Sequence, residues 1–80
     1  MAAKKIKIYS TPYCTYCKLA RAFFSKNKIA FTEVDVAEDE KARNEMIKKS
    51  GQMGVPVIEI DSIVVIGFNE TKIKKILELK

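Results

Sequence analysis

Two cysteines, Cys14 and Cys17, are the residues of this 80-residue chain whose spacing points most clearly to chemistry. They are its only cysteines, they lie at C-x-x-C spacing, and the sequence contains no histidine. Only a deprotonated thiol attacks a disulfide, and the start of a helix favours that form. A strand-like segment precedes the pair and a helix-like segment follows it. The spacing and its context therefore predict a redox-active dithiol.

The helix start predicts different roles for the two thiols. Cys14 lies beside the unpaired N–H groups of the helix N-terminus and is expected to attack the substrate disulfide. Cys17 lies one turn deeper and is expected to resolve the mixed disulfide that forms. A disulfide across two intervening residues constrains the unfolded chain very little, so it would stabilise the fold poorly. The pattern favours catalysis over a structural crosslink.

Two other interpretations of the cysteine pair stay open at this point. C-x-x-C spacing also forms half of a zinc site, but a structural zinc takes four ligands. This chain would have to supply carboxylates or share the ion with a second chain, so no metal site is predicted. Alternatively, two buried and inert thiols would behave as small apolar residues.

The composition indicates a small globular chain. Hydrophobic residues make up 48% and charged residues 31%, and residues 1–80 are predicted to form one domain, expected as a monomer. The net charge of +5 comes from scattered lysines, which predicts a solvated surface and no nucleic-acid partner. The N-terminus lacks the apolar run of a signal peptide, and no stretch is long enough to span a membrane. We therefore expect a cytoplasmic protein with no membrane partner, in which a disulfide is transient and catalytic.

The hydrophobic periodicity predicts seven elements in the order β-α-β-α-β-β-α. Strands are expected at 4–9, 29–35, 55–60 and 63–66, and helices at 15–26, at 39–49 and after Asn69, the predicted N-cap. The first helix is expected to bury a face made of Leu19, Ala20, Phe23 and Phe24. A β-α-β unit produces parallel strands, and the two-residue link at 61–62 makes the last two strands antiparallel. The prediction is an α/β fold with a four-stranded mixed sheet and three helices on both faces.

Three motifs resemble the glutaredoxin-like branch of the thioredoxin superfamily. They are YSTPYCTYC at 9–17, GVPVI at 54–58 and GFNE at 67–70, and their order and separations match over essentially the whole chain. The resemblance implies the thioredoxin fold with sheet order 2-1-3-4. It also implies a dithiol–disulfide oxidoreductase that transfers electrons to protein disulfides in cellular redox homeostasis, with no tightly bound cofactor.

The same resemblance implies a ligand site around the thiol pair. A cis peptide bond before Pro56 would pack beside Cys14, and the backbone of Val55 would pair with a bound peptide or glutathione. The N-terminus of the last helix would hold a ligand carboxylate through its N–H groups. The substrate-binding or glutathione-binding residues implied in this way are Tyr13, Thr15, Tyr16, Val55, Pro56, Gly67, Phe68 and Asn69.

The chain departs from the glutathione-using members that it resembles. Thr11 stands where many of them carry Lys or Arg, and Thr15 stands where a proline is common. Phe68-Asn69 replaces a frequent glycine and aspartate, with Glu70 as a substitute acid. Either glutathione or a thioredoxin-reductase-type flavoenzyme is therefore expected as the reductant.

The resemblance also leaves two alternative functions open. One is a dimeric iron–sulfur cluster carrier that uses Cys14 and glutathione as ligands, since thiolates are the usual cluster ligands. The other is a non-catalytic domain that keeps the fold and binds partners through its surface.

Overall fold

A computed structural model describes residues 5–78 of the chain. Its elements are β1 Ile6–Ser10, α1 Thr15–Lys26, β2 Thr32–Asp35, α2 Glu40–Ser50, β3 Val57–Ile60, β4 Ile63–Ile66 and α3 Glu70–Leu77. The predicted number and order of elements are confirmed. The predicted start of the first strand at residue 4 lies outside the described residues.

Two strands begin later than predicted, for local reasons. The N–H of Ile29 donates to the carbonyl of Phe24 at 2.8 Å, so residue 29 belongs to the turn that ends α1. Lys28 has a φ of 57°, which lies outside the strand region, and β2 starts only at Thr32. Pro56 has no N–H to donate to a neighbouring strand, so β3 starts after it and not at residue 55.

The four strands form one sheet in the order β2-β1-β3-β4. β1 is parallel to β2 and antiparallel to β3, and β3 is antiparallel to β4. Asp61, in the two-residue link between β3 and β4, has a φ of 54°, which aspartate tolerates and which lets so short a loop reverse the chain. The predicted thioredoxin fold and its sheet order are confirmed.

The sheet separates two apolar layers. On one face, α1 and α3 pack over a layer whose buried members are Ile6, Ile8, Ala20, Phe23, Phe24, Ile58, Ile60, Val65 and Ile73. On the other face, α2 packs through Ala42 and Met46 against Tyr9 and Val57. Helices therefore cover both faces of the sheet, as predicted.

The prediction that Leu19 belongs to the inner face of α1 is wrong. Its side chain is 47% exposed, whereas Ala20, Phe23 and Phe24 are buried. With about 3.6 residues per turn, Cys17, Ala20 and Phe24 lie along the centre of the buried face and Leu19 lies beyond its edge. Leu19 therefore adds an apolar side chain to the molecular surface.

A cluster of hydrogen bonds and ion pairs links α2 to β1 and β3. The hydroxyl of Tyr9, whose side chain is fully buried, donates to the carboxylate of Glu45 at 2.5 Å. Lys7 and Lys49 contact the same carboxylate at 3.0 and 3.4 Å, and Lys49 also pairs with Glu59 on β3. The hydrogen bond from Tyr9, followed by those lysines, lowers the pKa of Glu45 to about 2.

This lowered pKa predicts an acid-dependent loss of stability. The usual pKa is 4.5, so the folded state favours ionised Glu45, and the benefit is lost as the pH falls from about 5 towards about 2. Glu45→Gln removes this titration and should lower stability at neutral pH while making the acid dependence shallower. Urea unfolding followed by circular dichroism over this pH range measures both effects. Glu40→Gln, on the exposed side of the same helix, is the control, and an unchanged acid dependence in Glu45→Gln would contradict the assignment.

Candidate active site

The two cysteines lie where β1 leads into α1. Cys14 is the N-cap of α1, and Cys17 lies in its first turn. Their sulfur atoms are joined in a disulfide, and their Cα atoms are 5.1 Å apart. Cys14 is partly exposed, whereas Cys17 is fully buried. A thiol that attacks this disulfide therefore reaches the sulfur of Cys14 before that of Cys17.

The N-terminus of α1 is directed at this exposed sulfur. The backbone N–H of Cys17 donates to Sγ of Cys14 at 3.0 Å. N–H groups at a helix start stabilise negative charge, and the first turn of α1 contains no acidic residue to oppose them. In the reduced protein, the same geometry would stabilise the thiolate of Cys14, which is the nucleophilic form.

A proline loop lies before β3. The peptide bond between Val55 and Pro56 is cis, and the ring of Pro56 is buried. The carbonyl of Pro56 accepts a hydrogen bond from the N–H of Gly67 at 2.8 Å. Gly67 has a φ of 78°, a conformation that L side chains rarely adopt. This hydrogen bond joins the proline loop to the segment that leads into α3.

The start of α3 is set by a cap and by an aromatic contact. The side-chain oxygen of Asn69 accepts a hydrogen bond from the N–H of Lys72 at 3.1 Å, so Asn69 is the N-cap that the sequence predicts. Phe68 packs edge to face on Phe23 of α1, with ring centroids 5.7 Å apart. These contacts hold the N-terminus of α3 against α1.

A groove of about 460 Å³, which we call the proline groove, brings six of the predicted binding residues together. Its lining consists of Tyr16, Val55, Pro56, Ile66, Gly67, Phe68, Asn69, Glu70 and Thr71. Tyr13 and Thr15, the other predicted binding residues, lie outside this lining, and Tyr13 is 91% exposed. Among the described residues of the lining, Glu70 alone carries a charge.

The sequence prediction missed two residues of the proline groove, Ile66 and Thr71. Ile66 ends β4 and pairs with Val57, so the sheet register brings it next to Pro56. It is 56% exposed, although a run of apolar strand residues ordinarily indicates burial. Thr71 lies in the first turn of α3, and the predicted N-cap at Asn69 was a signal that could have identified it.

A polar cluster joins β1, β2 and α1 beside the thiol loop. The hydroxyl of Ser10, a buried residue, donates to the carboxylate of Glu33 at 2.7 Å, and the guanidinium of Arg21 binds the same carboxylate. A pocket of about 270 Å³ at this cluster is also lined by Thr11 and Asp35. Thr11, at the position where the resemblance implies a cation in glutathione-using members, therefore lines this pocket with Arg21, Glu33 and Asp35 and does not line the proline groove.

Residues 5–78 contain neither a cluster of potential metal ligands nor a helix that could span a membrane. No group of three or more His, Cys, Asp or Glu side chains in this range is placed to hold a metal ion. No helix in the same range is both long enough and apolar enough to cross a membrane.

Comparison with known proteins decides the family. The glutaredoxin family model matches residues 6–65, which include both cysteines, the proline loop and all four strands except the last residue of β4. The chain belongs to the glutaredoxin family. The family resemblance indicated by the sequence motifs is thereby confirmed, and the matched residues cover the motifs at 9–17 and 54–58.

Relatives of this glutaredoxin match most of its length. An uncharacterised glutaredoxin-like 8.6 kDa protein in a rubredoxin operon of Clostridium pasteurianum is 48% identical over 91% of this chain and 97% of its own length. Glutaredoxin 3 of Escherichia coli is 39% identical over 71% of this chain and 69% of its own length. The glutaredoxin-like protein NrdH of Lactococcus lactis is 30% identical over 89% of this chain and 97% of its own length.

Solved structures agree with the fold. The crystal structure of a mutant thioredoxin-like protein matches this glutaredoxin with a TM-score of 0.88 and 31% identity, over the whole of both chains. The glutaredoxin of Archaeoglobus fulgidus has a TM-score of 0.84 at 23% identity, over 92% of this chain and 86% of its own. The relatives and the Cys14–Cys17 pair make this protein a thiol–disulfide oxidoreductase, and they do not favour the iron–sulfur carrier.

Gly67 and Gly51 form a matched pair for testing the proline groove. Their φ values are 78° and 74°, and an added Cβ would meet no atom within 4 Å at either position. Replacing either glycine with alanine should lower the unfolding free energy by about 1 kcal/mol, because L residues are strained in this region. Only Gly67 lines the groove, so only Gly67→Ala should also lower kcat/KM for disulfide reduction, by about threefold or more. Equal kinetics for the two variants would contradict a role for Gly67 in the site.

Proposed function

We propose that this glutaredoxin reduces disulfides in protein substrates by a dithiol mechanism and receives its electrons from a thioredoxin-reductase-type flavoenzyme. The observation that carries the dithiol mechanism is the disulfide between Cys14, partly exposed at a helix N-terminus, and the buried Cys17. In this proposal the chain acts as a single domain, since its four strands share one sheet and its helices pack on that sheet.

Reduction of a substrate takes two exchange steps. The thiolate of Cys14 attacks one sulfur of the substrate disulfide, that bond breaks, and the leaving sulfur takes up a proton. The thiolate of Cys17 then attacks Sγ of Cys14, which forms the Cys14–Cys17 disulfide and releases the second substrate thiol. Two electrons have then passed to the substrate. The reductant returns two electrons and two protons, which restores the dithiol.

The proline groove and its surroundings position the substrate in this proposal. The backbone of Val55, beside Pro56, pairs with an extended substrate segment, as an added strand does in other peptide complexes. Tyr13 and Tyr16, which are 91% and 62% exposed, provide contact area around the thiol, with Thr15 between them. Gly67, Phe68 and Asn69 direct the N–H groups of α3 at a carbonyl or carboxylate of the ligand.

The charge of the proline groove favours a protein reductant over glutathione. Glutathione carries two carboxylates, whereas the described lining contains Glu70 and neither lysine nor arginine. Thr11 supplies no cation and lines a different pocket. Lys74 pairs with Glu70 at 3.0 Å but does not line this groove. No lining cation is therefore placed to bind a ligand carboxylate, and the N–H groups of α3 would be the main anchor left for one.

A cytoplasmic location and a monomeric state complete the proposal. Transient catalytic disulfides are typical of reducing compartments, where thiols are returned to their reduced form. Both cysteines of the exchange belong to one chain, and both lie at one site. The mechanism therefore needs no second copy.

Substitution of each cysteine tests the two roles separately. Cys14→Ser should lower turnover of a protein disulfide at least about a hundredfold, because the nucleophile is lost. Cys17→Ser should complete the first step and accumulate a mixed disulfide, which intact-mass spectrometry detects as an adduct of substrate mass. Ser25→Ala, an exposed substitution on α1, should behave as the unmodified protein. Full turnover by Cys14→Ser would overturn the mechanism.

Two coupled assays decide the reductant. Reduction of the same protein disulfide is followed as NADPH oxidation, once with thioredoxin reductase and once with glutathione and glutathione reductase. We expect the first system to be at least about tenfold faster, because the groove lacks a cation for glutathione. Faster turnover with glutathione would overturn the assigned reductant while leaving the dithiol mechanism in place. Glu70→Gln should raise the glutathione-dependent rate if charge is the cause, and Glu40→Gln is its control.

A further inference from the structure

A second groove continues the proline groove along the outer sides of α1 and α3. It has a volume of about 400 Å³ and is lined by Leu19, Ala22, Phe23, Lys26, Asn27, Phe68, Glu70 and Lys74. We call it the helix groove. Phe68 and Glu70 line both grooves, so the two are joined at the start of α3.

The floor of the helix groove is apolar. Phe23 and Phe68 pack edge to face across it, with their ring centroids 5.7 Å apart. Leu19, which is 47% exposed, lies one turn after Tyr16 of the proline groove, which is 62% exposed. An apolar strip therefore runs from the thiol pair into the helix groove. Contiguous exposed apolar side chains of this kind mark interaction sites.

The far end of the helix groove is positive. Lys74 pairs with Glu70 at 3.0 Å, so these two charges largely neutralise each other. Lys26 is exposed in the last turn of α1, and no carboxylate of residues 5–78 lies within ion-pair distance of it. Lys26 is therefore available to pair with a carboxylate of a bound molecule.

We propose that the helix groove binds the segment of a protein substrate that flanks its reactive cysteine, and that it selects a bulky apolar side chain followed by a carboxylate. This inference rests on the proposed function, because exchange at Cys14 is what places the segment there. The apolar side chain covers Phe23 and Phe68, and the carboxylate pairs with Lys26. Main-chain pairing at Val55 does not depend on the side chains of the substrate, so the helix groove supplies the specificity for the substrate sequence.

The distance from Tyr16 to Lys26 along α1 fits a short peptide segment. Tyr16 and Lys26 are ten positions apart on α1, which corresponds to about 15 Å along the helix axis. An extended chain covers that distance with about five residues. A substrate segment joined to Cys14 therefore reaches Lys26 without any rearrangement of the fold.

Matched peptide disulfides test this selection. Three peptides carry one cysteine as a mixed disulfide with the same small thiol and extend six residues, about the distance from Tyr16 to Lys26, to either side. The three peptides differ only at two adjacent positions, which lie about five residues from the cysteine. These positions hold an apolar and an acidic residue in the first peptide, an apolar and a basic residue in the second, and a polar and an acidic residue in the third. Measured relative to hydroxyethyl disulfide, kcat/KM should be about tenfold higher for the apolar–acidic peptide than for the other two.

Two charge-reversal variants test whether the peptide preference arises at the helix groove. Lys26→Glu and Lys41→Glu each replace an exposed helix lysine and change the net charge equally, but Lys41 lies on α2, across the sheet. Lys26→Glu should invert the preference so that the apolar–basic peptide becomes the better substrate, whereas Lys41→Glu should keep the original preference. Leu19→Ser should reduce the advantage of the apolar–acidic over the polar–acidic peptide by about threefold.

The outcomes distinguish selection by the helix groove from the proposed function on which it rests. Equal kcat/KM for the acidic and basic peptides, or the same shift in Lys26→Glu and Lys41→Glu, would overturn selection by the helix groove and leave the proposed function intact. Absence of turnover with all three peptides and with hydroxyethyl disulfide would overturn the proposed function itself, and the selection with it.

Discussion

The turn from β1 into α1 is the constraint on which the rest of this structure depends. The N–H of Cys17 reaches the sulfur of Cys14 only because Cys14 is the N-cap and Cys17 lies one turn later. β1 lies between β2 and β3, with helices over both faces of the sheet. A strand held in this way leaves its C-terminal end little freedom. The reactive sulfur therefore follows a strand that is paired on both sides and whose residues are mostly buried.

The two faces of the sheet contribute differently to the site. α1 and α3 lie on one face, where Phe68 lines both grooves and packs on Phe23, which lines the helix groove. α2 lies on the other face and is held there by the cluster around Glu45. None of its described residues lines either groove. The face covered by α2 therefore contributes to stability and not to the grooves, whereas the face covered by α1 and α3 contributes to both.

The elements could be predicted because they follow from short-range patterns, whereas the sheet order followed from the family resemblance. Alternating apolar residues, the acidic start and basic end of α2, and the cap at Asn69 are local features. The true start of β2 was not visible in the sequence, because it depends on the turn after α1, in which the N–H of Ile29 donates to Phe24. The start of β3 after Pro56 has a local cause, the missing N–H of proline, which the prediction did not use. The exposure of Leu19 also escaped prediction, because Leu19 lies beyond the edge of the buried face centred on Cys17, Ala20 and Phe24.

The sequence by itself determined the chemistry of this protein, because C-x-x-C spacing at a helix start places two thiols within reach of each other and of the helix N–H groups. Only the tertiary structure decided which side chains line the two grooves. Ile66 comes from β4 and Lys26 from the far end of α1, and each reaches its groove through strand register or helix packing. Such contacts join positions that are distant along the chain, and no local pattern of residues encodes them.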